Sequence, residues 1–162
     1  MSRSSTRSGA RSAARLAAVQ ALYQHDMEAI PAERLLAEFH AHRLGATIED
    51  TTYRAAEPVF FDDIVVGALA RKAEIDTLIA AHLHDDWTPE RLDKPLYAIL
   101  RAGTYELLAR ADITPAAIIN DYLDVAHAFY AKREKAFVNG ILDAIAADVR
   151  PDANRTGQHL AS

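Results

Sequence analysis

Apolar residues recur along this chain at three- and four-residue steps, the period of an α-helix, and nowhere does the two-residue alternation of a strand emerge. In the stretch Arg11 to Met27, Leu16, Val19, Leu22 and Tyr23 share a face that can enter a core, which predicts a first helix over 10–28. Pro31 opens a second helix carrying Leu35, Leu36, Phe39 and His40 or Arg43, with Gly45 as its stop. Residues 46–56 are a polar loop. From Pro58 the pattern runs through Phe60, Phe61, Ile64, Val65, Leu69, Ile75, Leu78, Ile79 and Leu83, long enough to require a bend or a change of neighbours partway.

Two cap-and-proline pairs punctuate the second half. Thr88-Pro89 opens a short helix that Pro95 cuts off, and Thr114-Pro115 opens a longer one with Ile118, Tyr122, Val125 and Phe129 as its stripe. Between them, Asp93 caps a helix striped by Leu96, Ile99, Leu100, Gly103 and Leu107. The last helix starts near Glu134 and carries Phe137, Val138, Ile141, Leu142 and Ile145. Gly103 and Gly140 lie inside helices, where glycine costs ~1 kcal/mol against alanine, so close approach of another helix is expected at both.

The fold class is therefore all-α, about seven helices joined by short connections, which favours antiparallel neighbours. The loop at 46–56 divides the chain and points to two packed helical subdomains, placed at about 10–84 and 85–150. Residues 1–9 read as a flexible basic arm and 151–162 as a flexible polar tail.

Composition changes this picture in one respect. The net charge of −5 averages over a strong asymmetry: Arg3, Arg7, Arg11 and Arg15 precede the first acidic residue, Asp26, and the rest of the chain is acidic. Such a distribution suits an oriented polyanionic partner. Arg11 and Arg15 sit one helical turn apart and are expected to point together toward RNA, with Arg7 joining from the arm. Gln20 and Tyr23, close by, are candidates for base contacts, Tyr23 being equally well explained as a core edge. The bland reading of the arm is a solubilising tail.

Lys132, Arg133 and Lys135 form a second basic patch, read as a loop before the last helix that either is merely solvated or extends the polyanion groove. Arg101 follows the core stripe directly. It reads first as a structural cation paired with Asp121 or Glu106, because a buried charge needs a partner, and second as an RNA contact.

Other chemistries find little support. The chain has no cysteine, hence no disulfide framework, thiol chemistry or usual structural zinc ligand. His40/His42 and His82/His84 are two residues apart, so on a helix the two rings of each pair diverge and do not chelate one ion. His84-Asp85 resembles the centre of an HD phosphohydrolase motif, but no further His and Asp stand at a recommending spacing. There is no glycine-rich phosphate loop and no nucleophile elbow. No catalytic residue, metal site or cofactor is expected. No apolar run reaches the ~18 residues that span a bilayer. A transit peptide is set aside because the apolar pattern of the first helix runs on into core-like sequence. The expectation is a cytoplasmic protein without membrane contact.

Four segments together carry a resemblance: Arg11…Arg15…Ala18-Val19-Gln20-Ala21-Leu22-Tyr23; Trp87…Arg91-Leu92…Ile99-Leu100-Arg101…Tyr105-Glu106-Leu107; Asp112-Ile113-Thr114-Pro115…Ile119-Asn120-Asp121; and Phe137-Val138-Asn139-Gly140-Ile141-Leu142-Asp143. In this order and at these separations, from Arg11 to about Arg150, the chain resembles the NusB family of transcription antitermination factors. The resemblance implies two three-helix bundles packed across each other. It implies binding of boxA-type single-stranded RNA from ribosomal RNA leaders, jointly with the ribosomal protein NusE. Other Nus factors and RNA polymerase would be indirect partners. It leaves self-pairing into a homodimer open, as some members of the family do.

The same domain occurs fused to an rRNA cytosine methyltransferase, for which this chain has no room, so the free-standing factor is expected. Three features depart from the family pattern. Ser12 and Ala13 interrupt its arginine run, Asp121 replaces its usual Glu, and 132–135 is more basic than usual. The competing reading is an all-helical protein-interaction module without RNA binding.

Overall fold

The computed structural model describes residues 3–42, 57–84 and 87–152, with side chains from residue 9 onward in the first helix. Among the described residues it contains seven α-helices, one 3-10 turn and no strand. They are α1 (Arg3–Glu28), α2 (Ala32–His42), α3 (Pro58–Ala70), α4 (Lys72–Ala81), the 3-10 turn (Pro89–Arg91), α5 (Lys94–Ala109), α6 (Pro115–Phe129) and α7 (Lys132–Val149).

The long apolar pattern after Pro58 is two helices. Arg71 separates α3 from α4, and this break is also where the chain divides into compact units, Met1–Ala70 and Arg71–Ser162. The boundary expected near residue 84 therefore falls a helix earlier. Instead of three helices in each bundle, the first unit holds three and the second four. The reason lies in α4, which buries Ile75 and Ile79 and packs on α5 and α7.

In the first unit α1, α2 and α3 each pack on the other two. Alanines 14, 17, 18 and 21 of α1 are buried beside Val19 and Leu22, a small-residue face that lets α3 lie close. Phe39 of α2 stacks on Phe61 of α3 at 5.3 Å, and His40 meets the edge of the same Phe61 ring at 6.0 Å. The helix begins at Arg3, so residues 3–9, expected as an arm, have helical backbone. Its far end closes on Ala29, whose φ of 53° is left-handed. There the Ala29 N–H donates to His25 O at 2.9 Å and His25 Nδ1–H donates to Ile30 O at 2.6 Å. Gly45 and the loop at 46–56 lie outside the described residues.

In the second unit α5 is the central element. It packs on α4, α6 and α7, and its residues 96–100 and 102–107 are buried. Thr114 caps α6 as expected, its Oγ1 accepting from Ala117 N at 3.2 Å. Asp93 stands at the N-cap of α5 but makes no capping bond; its carboxylate accepts from the Tyr130 hydroxyl. Gly103 has the expected packing reason: a Cβ there would lie 3.0 Å from both Leu142 methyls. Gly140 has none, since a Cβ would meet nothing within 4 Å. Arg150, just past α7, fastens the corner between α5 and α6. Its guanidinium donates to the carbonyls of Glu106, Leu107, Arg110 and Ile113 at 3.0, 2.8, 2.6 and 2.6 Å.

Candidate functional site

The face that Arg11 shares with Arg15 continues at three- and four-residue steps through Ala18 to Leu22, so the arginine stripe runs into the buried stripe of α1. The structure follows that geometry. Arg15 is 3% exposed, with its Cζ 4.9 Å from the centre of the Phe60 ring. Arg11 sits 4.8 Å from the same ring and its Nε lies 3.5 Å from Glu57 Oε2. Nε of Arg11 is shielded and makes no hydrogen bond, yet 28% of the side chain remains accessible. The expectation that both arginines point outward is thus met by Arg11 only in part and not by Arg15. The aromatic face of Phe60, supplied by α3, draws both guanidinium groups inward. Arg7 lies on the helical backbone of α1, and its side chain is outside the described set.

Around α1, Gln20 stands roughly 140–180° from the two arginines and Tyr23 roughly 80–120°. Tyr23 is 36% exposed, with Met27 exposed one turn further on. Gln20 is half-buried, and its Oε1 is shielded without a partner. The structure therefore brings Arg11 to Arg15 and Gln20 to Tyr23, but does not merge the two pairs on one face.

In the second unit Arg101 is ion-paired within the fold. Its Nε and Nη2 donate to Asp76 Oδ1 and Oδ2 at 2.9 and 3.2 Å, and its guanidinium lies 4.0 Å over the Tyr97 ring. Asp76 of α4 is thus a partner that the sequence reading did not name. Glu106 is fully buried and accepts from the Tyr122 hydroxyl. Burial, with the Asp76 carboxylate close by, holds the Tyr97 hydroxyl well above the usual tyrosine range. With 14% of its side chain exposed, one edge on Asp76 and one face over Tyr97, Arg101 ties α4 to α5.

Lys132, Arg133 and Lys135 are not in a loop: they make the first turn of α7. Lys132 and Arg133 are exposed, and Lys135 is half-buried. Cations at a helix N-terminus oppose the macrodipole and cost a few tenths of a kcal/mol each. Glu134 is the one acidic residue of that turn.

Beside this turn lies a recess of about 170 Å³, lined by Trp87, Leu92, Leu96, Arg133, Glu134 and Phe137. Trp87 is 47% exposed and tilts against Phe137 at 5.9 Å. The sequence marked Trp87 only as part of a motif, and Glu134 only as a helix start. The signal available was a lone tryptophan in a polar stretch, which is an unusual place for a core residue. Of the paired histidines, His40 bonds Asp62 at 2.6 Å and His82 lies 3.3 Å from Asp148. Asp85 lies outside the described residues. Among the described residues no three His, Asp or Glu side chains gather as a metal site would require, and no helix is long and apolar enough to cross a membrane.

Comparison with known proteins places this arrangement. The family model described as NusB family matches residues 12–147. The transcription antitermination protein NusB of Sphingopyxis alaskensis is 60% identical over 148 residues, covering 91% of this chain and 97% of that protein. The corresponding protein of Novosphingobium aromaticivorans is 59% identical over 135 residues, covering 83% and 91%. Among solved structures, T. maritima NusB is similar with a TM-score of 0.72 at 28% identity, covering 90% of this chain and 96% of that one. A chain in the crystal structure of antitermination factors NusB and NusE in complex with dsRNA is similar with a TM-score of 0.69 at 26% identity, covering 91% and 99%.

Proposed function

We propose, from the premise that this chain belongs to the NusB family and is a transcription antitermination factor, that it works as an adaptor gripping boxA-type RNA together with NusE. The reading rests on one observation: accessible cations stand where folding alone does not call for them. Lys132 and Arg133 are exposed on a helix end whose dipole they oppose. Arg11 keeps part of its surface and a single long carboxylate contact. A solved relative carrying NusE and dsRNA supports the same assignment.

In this reading the cations neutralise phosphates, and NusE adds affinity because one RNA touches both proteins. Gln20 and Tyr23 supply base contacts on a separate flank of α1. Arg15 and Arg101 act from beneath, by holding α1 on α3 and α4 on α5. The protein performs no chemistry of its own, needs no cofactor, and acts in the cytoplasm with the transcription machinery.

The test is a titration of boxA RNA at two salt concentrations, with and without NusE. It compares wild type with Arg11→Ala and with the triple variant of Lys132, Arg133 and Lys135 to Ala. Each lost phosphate contact is expected to make the log–log salt slope shallower by roughly 0.7. Binding that ignores salt and all of these substitutions would defeat the proposal in favour of a module that recognises protein alone.

A further inference from the structure

Glu57, the last residue before α3, reaches back to α1 at two points. Its backbone N–H donates to Ala10 O at 3.2 Å, and its Oε2 lies 3.5 Å from Arg11 Nε. The first contact pins the chain to α1. The second is a charge pairing alone, because Arg11 Nε is shielded and makes no hydrogen bond. The carboxylate thus offsets the guanidinium charge without the short, directed geometry of a strong pair. Both side chains keep access to solvent, 28% for Arg11 and 36% for Glu57. An ion pair so long and so open is easily exchanged.

Phe60 lets the carboxylate leave without the arginine following it. The guanidinium of Arg11 lies 4.8 Å from the ring centre and that of Arg15 4.9 Å. This cation–π contact holds Arg11 to α3 whatever anion sits at its edge. Two cations gathered at one ring raise the local positive potential, which draws an anion to the spot. Glu57 supplies one from within the chain. A phosphate oxygen carries the same sign of charge and accepts from the same N–H groups.

We infer that Glu57 is an internal competitor of phosphate: it pairs with Arg11 in the free protein and yields that cation to the RNA backbone on binding. The inference rests on the RNA-binding reading above and adds an autoinhibitory contact to it. Binding then exchanges one anion for another at Arg11, so the protein gains less from this cation than from an unpaired arginine. The restraint falls on every RNA alike, since a phosphate contact carries no sequence information.

The experiment uses the full chain with NusE and end-labelled boxA RNA, titrated at two salt concentrations. Glu57→Gln keeps the side chain's size and the backbone bond to Ala10 and removes the charge. It should bind RNA about two- to fivefold more tightly, the span of an exposed ion pair. Its log–log salt slope should steepen by up to roughly 0.7. Adding Glu57→Gln to Arg11→Ala should change nothing further, because the acid acts through that arginine. In wild type labelled at its arginines, the Arg11 Nε–H resonance should move when RNA is added.

An equal gain in the Arg11→Ala background would overturn the inference in favour of general repulsion between an acid and the RNA. Weaker binding by Glu57→Gln would overturn it by making Glu57 a support that aims Arg11 at the RNA. Unchanged affinity, or an Arg11 signal indifferent to RNA, would overturn it and leave the RNA-binding reading standing. No RNA binding by wild type, even with NusE, would remove both.

Discussion

The Tyr122 hydroxyl donates to Glu106 Oε2 at 2.5 Å, and neither side chain reaches solvent. The bond ties α6 to α5 at a buried carboxylate, which is expensive to leave short of donors. Tyr122→Phe removes the donor and keeps the ring. It should destabilise the protein by about 2 kcal/mol, read from urea denaturation midpoints. An unchanged midpoint would mean that Glu106 is satisfied by its other neighbours.

Arg11 and Arg15 lie over one phenylalanine ring but should separate by experiment. Arg15→Ala removes a buried cation–π contact and its packed stem, and should cost about 2 kcal/mol or more. Arg11→Ala removes a partly exposed cation with one long carboxylate contact. It should cost under about 1 kcal/mol while weakening RNA binding. Thermal melts paired with RNA titrations of both variants check this. Equal loss of stability in the two would show that Arg11 is as structural as its neighbour.

How much of this was legible beforehand follows from where each signal is stored. Helical period, the Thr114 cap, the need for a break after Pro58 and the tight packing at Gly103 are local properties, and local pattern carries them. The inward turn of Arg15 was legible as well, since its spacing to Leu22 places it on the core stripe; the charge drew attention away from the angle. The Asp76 partner of Arg101 was not legible. It comes from a different helix, 25 residues away, and Asp121 and Glu106 offered the same chemistry nearer by. Gly140 sits in a helix exactly as Gly103 does, and only the neighbouring elements reveal that one is crowded and the other open.

Four carbonyls at the α5–α6 corner converge on one guanidinium, held by burial below its usual basicity. Arg150→Ala should destabilise by about 2 kcal/mol, because the Leu107 and Ile113 carbonyls lose the guanidinium donor, while those of Glu106 and Arg110 keep the N–H groups of Arg110 and Ile113. Arg150→Lys should recover little, since an ammonium does not reproduce the planar fork. Hydrogen exchange of the residues around 107–113 should rise in both variants; full rescue by Lys would contradict the geometric account.

The alkaline limit of stability should lie in the second unit. Tyr97 and Tyr130 are both held above the ordinary tyrosine value of about 10, chiefly by burial and next by Asp76 and Asp93 respectively. A folded-state pKa raised above the unfolded one stabilises fully below pH ~10 and is lost as pH climbs toward the raised value. Stability should fall as pH rises past about 10, and Tyr97→Phe should flatten that fall. Denaturation midpoints measured from pH 8 to 11 decide it.

The arginine that closes the α5–α6 corner is separated from its nearest carbonyl partner by 37 residues of later chain. During translation α5 and α6 are made and released well before it. The corner must wait, unfastened, until all of α7 has been synthesised, so the second unit stays unlocked while its earlier helices are already in place.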